Sequence, residues 1–308
     1  MCGATSRNCK GTARSARNCS VELARLTCQY STDVPTKVGT HRSRRTNQGR
    51  HSPRAALATI IRMTRLLPWR LADAPDAPFP PAETALRRPD GLLAVGGDLH
   101  PVRLLNAYAG GIFPWFSEGE PILWWSPDPR MVFRTDGVHL SSRFRRQLRS
   151  SEWEVTADTA FSRVMRACAA APRPGQDGTW ISPEMVDAYS QLHDLGFAHS
   201  FEVWDRQTLV GGIYGVAIGS VFFGESMFSG ASGGSKIALA ALALTLRGWG
   251  WELIDAQVEN PHLLRMGAEH LPRAAFLDHV RQAVRRAGRE GPWTQAVGRL
   301  PAKRLAGG

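Results

Sequence analysis

Between Ser235 and Arg247 the chain is apolar almost all the way round a helix, so that helix must be covered on more than one side. Its neighbours supply the cover. Residues 199–204 and 208–217 read as strands joined at Asp205-Arg206-Gln207, and Ser220 to Phe228 follows through a tight turn at Gly219. Glu252 to Val258 reads as a further strand beyond the helix. Strands, a buried helix and another strand predict an α/β (α+β) architecture, a mixed sheet with helices packed on it. Ser182-Pro183 opens a helix whose Met185, Val186, Tyr189 and Leu192 share a face before Gly196 ends it. A last helix spans 272–287.

Nearer the start, Gly91 to Asp98 reads as a short buried strand and a turn. Pro101 opens a short helix carrying Leu104, Leu105 and Tyr108, closed by Gly110-Gly111. The segment 121–130 carries Trp124 and Trp125 but is too broken by proline to form a regular element.

Charge divides the chain unevenly. Residues 1–62 hold 10 Arg and 2 Lys against one Glu and one Asp, so +10 of the formal net charge of +11 sits there and the rest carries +1. That stretch has no helical or strand period, and it holds Cys2, Cys9, Cys19 and Cys28 without metal-ligand order. It reads either as a basic arm for nucleic acid or a targeting peptide, or as the result of a start assigned too far upstream, with Met63 the true beginning. The scattered cysteines favour the latter reading, and a disordered basic extension is expected either way. Cys168 alone remains in the body, which fits a reducing compartment, the cytoplasm. The longest apolar run, Ile237 to Leu246, is about half of what a membrane span needs, so no membrane partner is expected.

Several chemistries are unsupported. Gly230-Ala-Ser-Gly-Gly-Ser-Lys236 lacks the ending of a phosphate-binding loop, and no dinucleotide fingerprint or paired-histidine zinc motif exists. His193 and His199 have no third ligand in view, so neither metal nor cofactor is expected. Gly224-Glu225-Ser226 is not a nucleophile elbow, because Phe228 stands where glycine is required. Two acids at strand ends are more informative. Glu225 follows Val-Phe-Phe-Gly, Asp255 follows Leu-Ile, and Gln257, two residues on, would share the face of Asp255 on a regular strand. The plain alternative is that each acid pairs with an arginine. An apolar pocket beside carboxylates suits a ligand with a hydrocarbon side chain and a cationic amine, and both acids are candidates for receiving that cation. Arg143, Arg145, Arg146 and Arg149 lie on a helix-forming segment with little acid nearby, which is either a solvated face or a phosphate-tracking one.

The motifs GLLAVGGDL (91–99), GIFPWF (111–116), ILWWSPDPR (122–130), GTWIS (178–182), FFGESMFS (222–229) and LIDAQV (253–258), in this order, resemble the leucyl/phenylalanyl-tRNA–protein transferase family. The resemblance spans about 63 to 285. It implies a small N-terminal domain at 63–132 and a GNAT-like acyltransferase domain at 133–308. It implies transfer of Leu or Phe, with Met a further candidate, from aminoacyl-tRNA to proteins beginning with Arg or Lys, which feeds N-end-rule degradation without a DNA partner. By position it assigns Gln257, Asp255 and Glu225 to the reaction centre, with Asn260 in support. Ile213, Phe222, Met227, Leu242 and Ile254 would line the side-chain pocket, where Ile213 replaces a family methionine and Leu242 an aromatic. Trp115 and Trp180 would hold the terminal adenosine, and Arg149 with its neighbours the acceptor stem.

An aminoacyl ester is already activated, so the work is positioning and oxyanion stabilisation. The expectation is a Gln257 side-chain oxygen, held by Asp255, accepting from the attacking amine, with Glu225 placing the acceptor. A glutamine is a feeble base, so the alternative is that it only orients while the ribose hydroxyl carries the proton. Two rival readings stand beside this one: a GNAT-like N-acetyltransferase using acetyl-CoA at Gly233-Gly234-Ser235, and a non-catalytic nucleic-acid-binding protein built on the arginines and tryptophans.

Overall fold

The apolar run at 92–95 becomes the centre of a small sheet. In a computed structural model that describes residues 67–171 and 179–307, this sheet comprises β1 (Trp69–Arg70), β2 (Leu92–Val95), β3 (Phe113–Pro114) and β4 (Leu123–Trp125), in the order β1-β2-β4-β3. The expectations for 1–62 lie outside the described residues, all of which fall in the compact unit Met63–Gly308. The absence of regular structure expected at 121–130 is corrected. Pro121 and Pro127 bracket the short strand β4 rather than interrupting it, and Trp124 is buried with its indole N–H donated to the Gly96 carbonyl at 2.8 Å. Helix α1 (Pro101–Ala109) runs as its sequence predicts, capped by His100 and stopped at Gly110.

The large sheet contains β5 (Arg130–Arg134), β6 (Glu154–Ala157), β7 (Ala198–Asp205), β8 (Thr208–Ile218), β9 (Val221–Ser229), β10 (Leu253–Gln257), β11 (Glu269–Leu271) and β12 (Leu300–Pro301). Its order is β11-β5-β10-β9-β8-β7-β6-β12. The helices around it are α2 (Ser142–Arg149), α3 (Phe161–Ala170), α4 (Pro183–Asp194), α5 (Gly234–Gly248), α6 (Pro261–Arg265), α7 (Arg273–Ala283) and α8 (Thr294–Val297). Among the described residues, every pairing in this sheet is antiparallel except β9 with β10. A parallel pair needs a crossover connection, and α5 is that crossover.

This explains the helix that is apolar all round. Ile237, Leu239, Leu242 and Leu246 of α5 share one core with Phe201, Val203, Ile213, Phe222 and Ile254 of the sheet and with Trp251 and Trp293. The start of α5 lies directly on β8: a Cβ on Gly211 would meet Gly234 Cα at 2.4 Å, and a Cβ on Gly234 would meet the Val210 carbonyl at 2.2 Å. Only two glycines permit that approach. Alternate residues of the same strands, Tyr214, Val216 and Phe223, face the other way, toward the side covered by α1, α3 and α4.

Candidate active site

β9 and β10 run side by side only as far as Phe223 and Asp255. Just beyond, each strand breaks register with its other neighbour. Glu225 is the extra residue of a bulge against β8, where Gly215 faces Gly224 and Tyr214 faces Ser226. Ala256 is the extra residue between Asp255 and Gln257 against β5, and Gln257 adopts a φ of 63°. Bulges re-aim side chains, and these two turn Glu225 and Gln257 toward each other across the opening. The Gln257 side-chain amide donates to Glu225 Oε1 at 2.7 Å. The same-face alternation expected for Asp255 and Gln257 is therefore corrected, because the bulge breaks the period of two.

Glu225 is enclosed from two further elements. Tyr108 of α1 hydrogen-bonds to its Oε1 at 2.7 Å and Tyr189 of α4 to its Oε2 at 3.1 Å, and the two hydroxyls bond to each other. Burial pushes the Glu225 carboxyl up to about 8, and the nearby Asp255 charge adds to the rise. The hydrogen bonds from Tyr108, Tyr189 and Gln257 pull the other way without cancelling it.

Asp255 has a different partner. Arg130 Nε and Nη2 grip its two carboxylate oxygens at 2.8 and 2.6 Å, with both side chains fully buried. The guanidinium is sandwiched between Phe113 and Phe276, each ring centroid 4.6 Å away, and also donates to the Gly111 carbonyl at 3.1 Å. Asp255 Oδ1 accepts the backbone N–H of Gln257 at 2.9 Å. It thus holds the backbone of Gln257 in its left-handed conformation, where a non-glycine residue costs about 1–3 kcal/mol unless its surroundings fix it. This corrects the expected contact between Asp255 and the Gln257 side chain. It also removes Asp255 as a free anion for an acceptor cation, since Arg130 already neutralises it.

Ile213, Phe222, Leu242 and Ile254 are buried in one apolar cluster, and the part-buried Met227 packs against it. Ile213 faces Met227 across β8 and β9, Ile254 lies beside Phe222, and Leu242 belongs to the same extended core. Phe222 and Met227 flank Glu225 along β9, and Ile254 precedes Asp255 on β10. Register places Ile254 beside Phe222 and Asp255 beside Phe223, so the Asp255 carboxylate points to the sheet face opposite the apolar cluster.

Trp115 follows β3 and is 37% exposed, its ring 5.7 Å from that of Trp125, whose indole N–H donates to the Trp115 carbonyl. Trp180 is part-buried just ahead of the Ser182 cap of α4. Arg143, Arg146 and Arg149 of α2 are exposed and make no ion pair among the described residues. Arg145 is more enclosed and donates to the Leu140 carbonyl at 2.9 Å. The C-terminal turn Ala302–Gly307 packs on α2 and adds the exposed Lys303 and Arg304. Asn260 caps α6, accepting the His262 N–H at 2.8 Å. Among the described residues no cluster of His, Cys, Asp and Glu has the makings of a metal site, and no helix is long and apolar enough to cross a membrane.

Sequence reasoning missed Tyr108, Tyr189 and Arg130. Each carried a faint signal: a tyrosine on the buried face of a helix must find a hydrogen-bond partner, and an arginine opening an apolar strand must find a charge.

The sequence as a whole matches known proteins. The family model of the leucyl/phenylalanyl-tRNA protein transferase matches residues 132–281, and that of its N-terminal domain matches 97–128. A leucyl/phenylalanyl-tRNA–protein transferase of Xanthomonas campestris pv. campestris (strain B100) is 67% identical over 245 residues, covering 80% of this chain and 98% of the relative. The protein of that name from Xanthomonas oryzae pv. oryzae (strain MAFF 311018) is 70% identical over 238 residues, covering 77% and 95%. One from Xylella fastidiosa (strain 9a5c) is 59% identical over 238 residues, covering 77% and 98%. The chain belongs to the leucyl/phenylalanyl-tRNA–protein transferase family.

Proposed function

We propose that this chain moves leucine or phenylalanine from aminoacyl-tRNA to the α-amine of proteins beginning with Arg or Lys, in the cytoplasm, feeding N-end-rule degradation. The observation that carries the proposal is the parting of β9 and β10, where the Gln257 amide meets the Glu225 carboxyl, two residues along β9 from Met227, which packs against the apolar cluster. The apolar side chain of the donor would enter among Ile213, Phe222, Met227, Leu242 and Ile254. With its amide N–H2 turned to Glu225, Gln257 has its carbonyl oxygen left to accept a hydrogen bond from the incoming amine. Asp255, held by Arg130, keeps Gln257 in place. In this scheme Gln257 orients the nucleophile, and no high-energy cofactor is consumed because the ester is already activated.

Trp115 and Trp180 supply flat faces for the terminal adenosine, and Arg143, Arg146 and Arg149, with Arg145 behind them, a path for acceptor-stem phosphates. Asn260 contributes by fixing the segment after Gln257 through its cap. A small N-terminal domain at 63–132 and a GNAT-like domain at 133–308 belong to the same proposal, supported by one sheet in each segment apart from β5, which joins the large sheet at its start.

Mass spectrometry of an Arg-started peptide incubated with the chain and Leu-tRNA or Phe-tRNA tests the proposal. The expected product carries one added Leu or Phe residue. A peptide acetylated by acetyl-CoA instead would favour the N-acetyltransferase, and tRNA binding without any product the non-catalytic reading.

A further inference from the structure

Three oxygen-bearing groups close a ring at the head of the opening. Tyr108 bonds to Glu225 Oε1, Tyr189 to Glu225 Oε2, and the two hydroxyls to each other. Two tyrosine hydroxyls bring two protons to three contacts. If both donate to an ionised carboxylate, the contact between the hydroxyls has no proton. A proton on Oε2 completes the ring: Glu225 donates to Tyr189, Tyr189 to Tyr108, and Tyr108 to Oε1. Gln257 also donates to Oε1, so every lone-pair demand is met. The ring therefore has the geometry of a carboxyl group that stores a proton. The tyrosines do not lose theirs, because burial and the Glu225 charge push both hydroxyls well above their ordinary range.

We propose that Tyr108 and Tyr189 are positioning residues that hold Glu225 as the group receiving the proton of the acceptor's α-ammonium, an inference that rests on the aminoacyl transfer proposed above. The step balances. The ammonium gives one proton to the Glu225 carboxylate and becomes a neutral amine. Its nitrogen attacks the ester carbonyl carbon, the C–N bond forms, and the bond from that carbon to the ribose oxygen breaks. The ribose oxygen leaves with the electron pair and takes the second proton lost by nitrogen. Glu225 returns its proton to water after the product departs.

The energetics favour the transfer. An α-amine has an ordinary pKa of about 7.7–8.0. Glu225 is pushed up to about 8, so moving the proton between them costs little, and a substantial share of bound amine is free to attack. An ordinary exposed carboxyl, near 4.5, would leave almost all of the amine as ammonium. The ionisable groups around Glu225 are Tyr108 from α1, Tyr189 from α4 with Tyr214 of β8 beyond it, and Asp255 of β10, balanced by Arg130 of β5.

Tyr108 donates to Oε1 whether or not Oε2 carries a proton, and this bond lowers the Glu225 pKa, so removing its hydroxyl must raise it. The experiment is a pH titration of the full chain with carbon-13-labelled glutamate carboxyls, assigned with Glu225→Gln, alongside the pH profile of kcat/KM for peptide aminoacylation. In the wild type the assigned carboxyl should titrate near 8 and coincide with the acid limb of the profile, where activity falls as the carboxylate takes up a proton. In Tyr108→Phe both should move upward together by about half a unit or more, with tRNA affinity unchanged. A carboxyl that titrates in the ordinary glutamate range, or an acid limb that stays put in Tyr108→Phe, overturns the inference. If wild type aminoacylates no peptide at any pH, the transferase reading itself fails, a distinguishable result.

Discussion

Replacing Arg130 by Met separates two effects that the site combines. Asp255 and Arg130 are both fully buried, joined at 2.8 and 2.6 Å, and water has no access to either. Removing the guanidinium leaves a carboxylate in an apolar interior and deletes two ring contacts at 4.6 Å. Breaking one side of a buried pair costs about 3–5 kcal/mol, most of it the stranded charge rather than the lost attraction. For a domain of this size that corresponds to a fall in Tm of about 6–20 °C. Arg130→Met with Asp255→Asn removes the stranded charge and retains an acceptor for the Gln257 N–H, so it should regain about 2 kcal/mol or more over the single variant. Urea unfolding of the wild type, both single variants and the double variant measures this cycle. An Arg130→Met cost below about 1 kcal/mol, or a double variant no better than Arg130→Met, would refute the assignment of Asp255 as a neutralised, backbone-holding group.

Three further outcomes follow from the same geometry. Between the ordinary 4.5 and the raised value of about 8, folded Glu225 keeps a proton that the unfolded chain has released. Its contribution is therefore complete below about 4.5 and is lost as pH rises toward 8, at about 1.4 kcal/mol per unit. Glu225→Gln lacks this loss, so from pH 5 to pH 8 its stability should gain about 2–4 kcal/mol on the wild type; parallel unfolding curves would contradict the raised carboxyl. Arg146→Ala combined with Arg149→Ala should flatten the log–log salt dependence of tRNA binding by about 0.7–0.9 for each phosphate no longer neutralised, whereas an unchanged slope would make α2 a solvated face. A tRNA charged with β-branched Ile should be used about 10–200-fold less efficiently than one charged with Leu, and equal kcat/KM values would exclude a shaped slot.

The parts of this fold governed by local pattern are legible in the sequence. The helix at 234–248, the strands flanking it and the short helix at 101–109 each follow from periodicity and end signals along a few residues. β5 is hidden because Arg130 and Arg134 bracket its apolar centre, and polar ends disguise a strand that lies between β10 and β11. The two bulges are illegible for another reason. A bulge is a mismatch between strands, and neither β9 nor β10 carries it alone. The apolar residues at 213, 222, 227, 242 and 254 can be grouped from the family likeness, and they do cluster. The partners of the acids cannot, because Tyr108 reaches Glu225 across 117 positions and Arg130 reaches Asp255 across 125.

Single-turnover transfer from Leu-tRNA to an Arg-started peptide by Gln257→Ala is the most direct test of whether the amide–carboxyl pair between the parted strands orients the attacking amine. The account predicts a rate reduced by about 100-fold or more, with tRNA affinity intact. Transfer at the wild-type rate would contradict it.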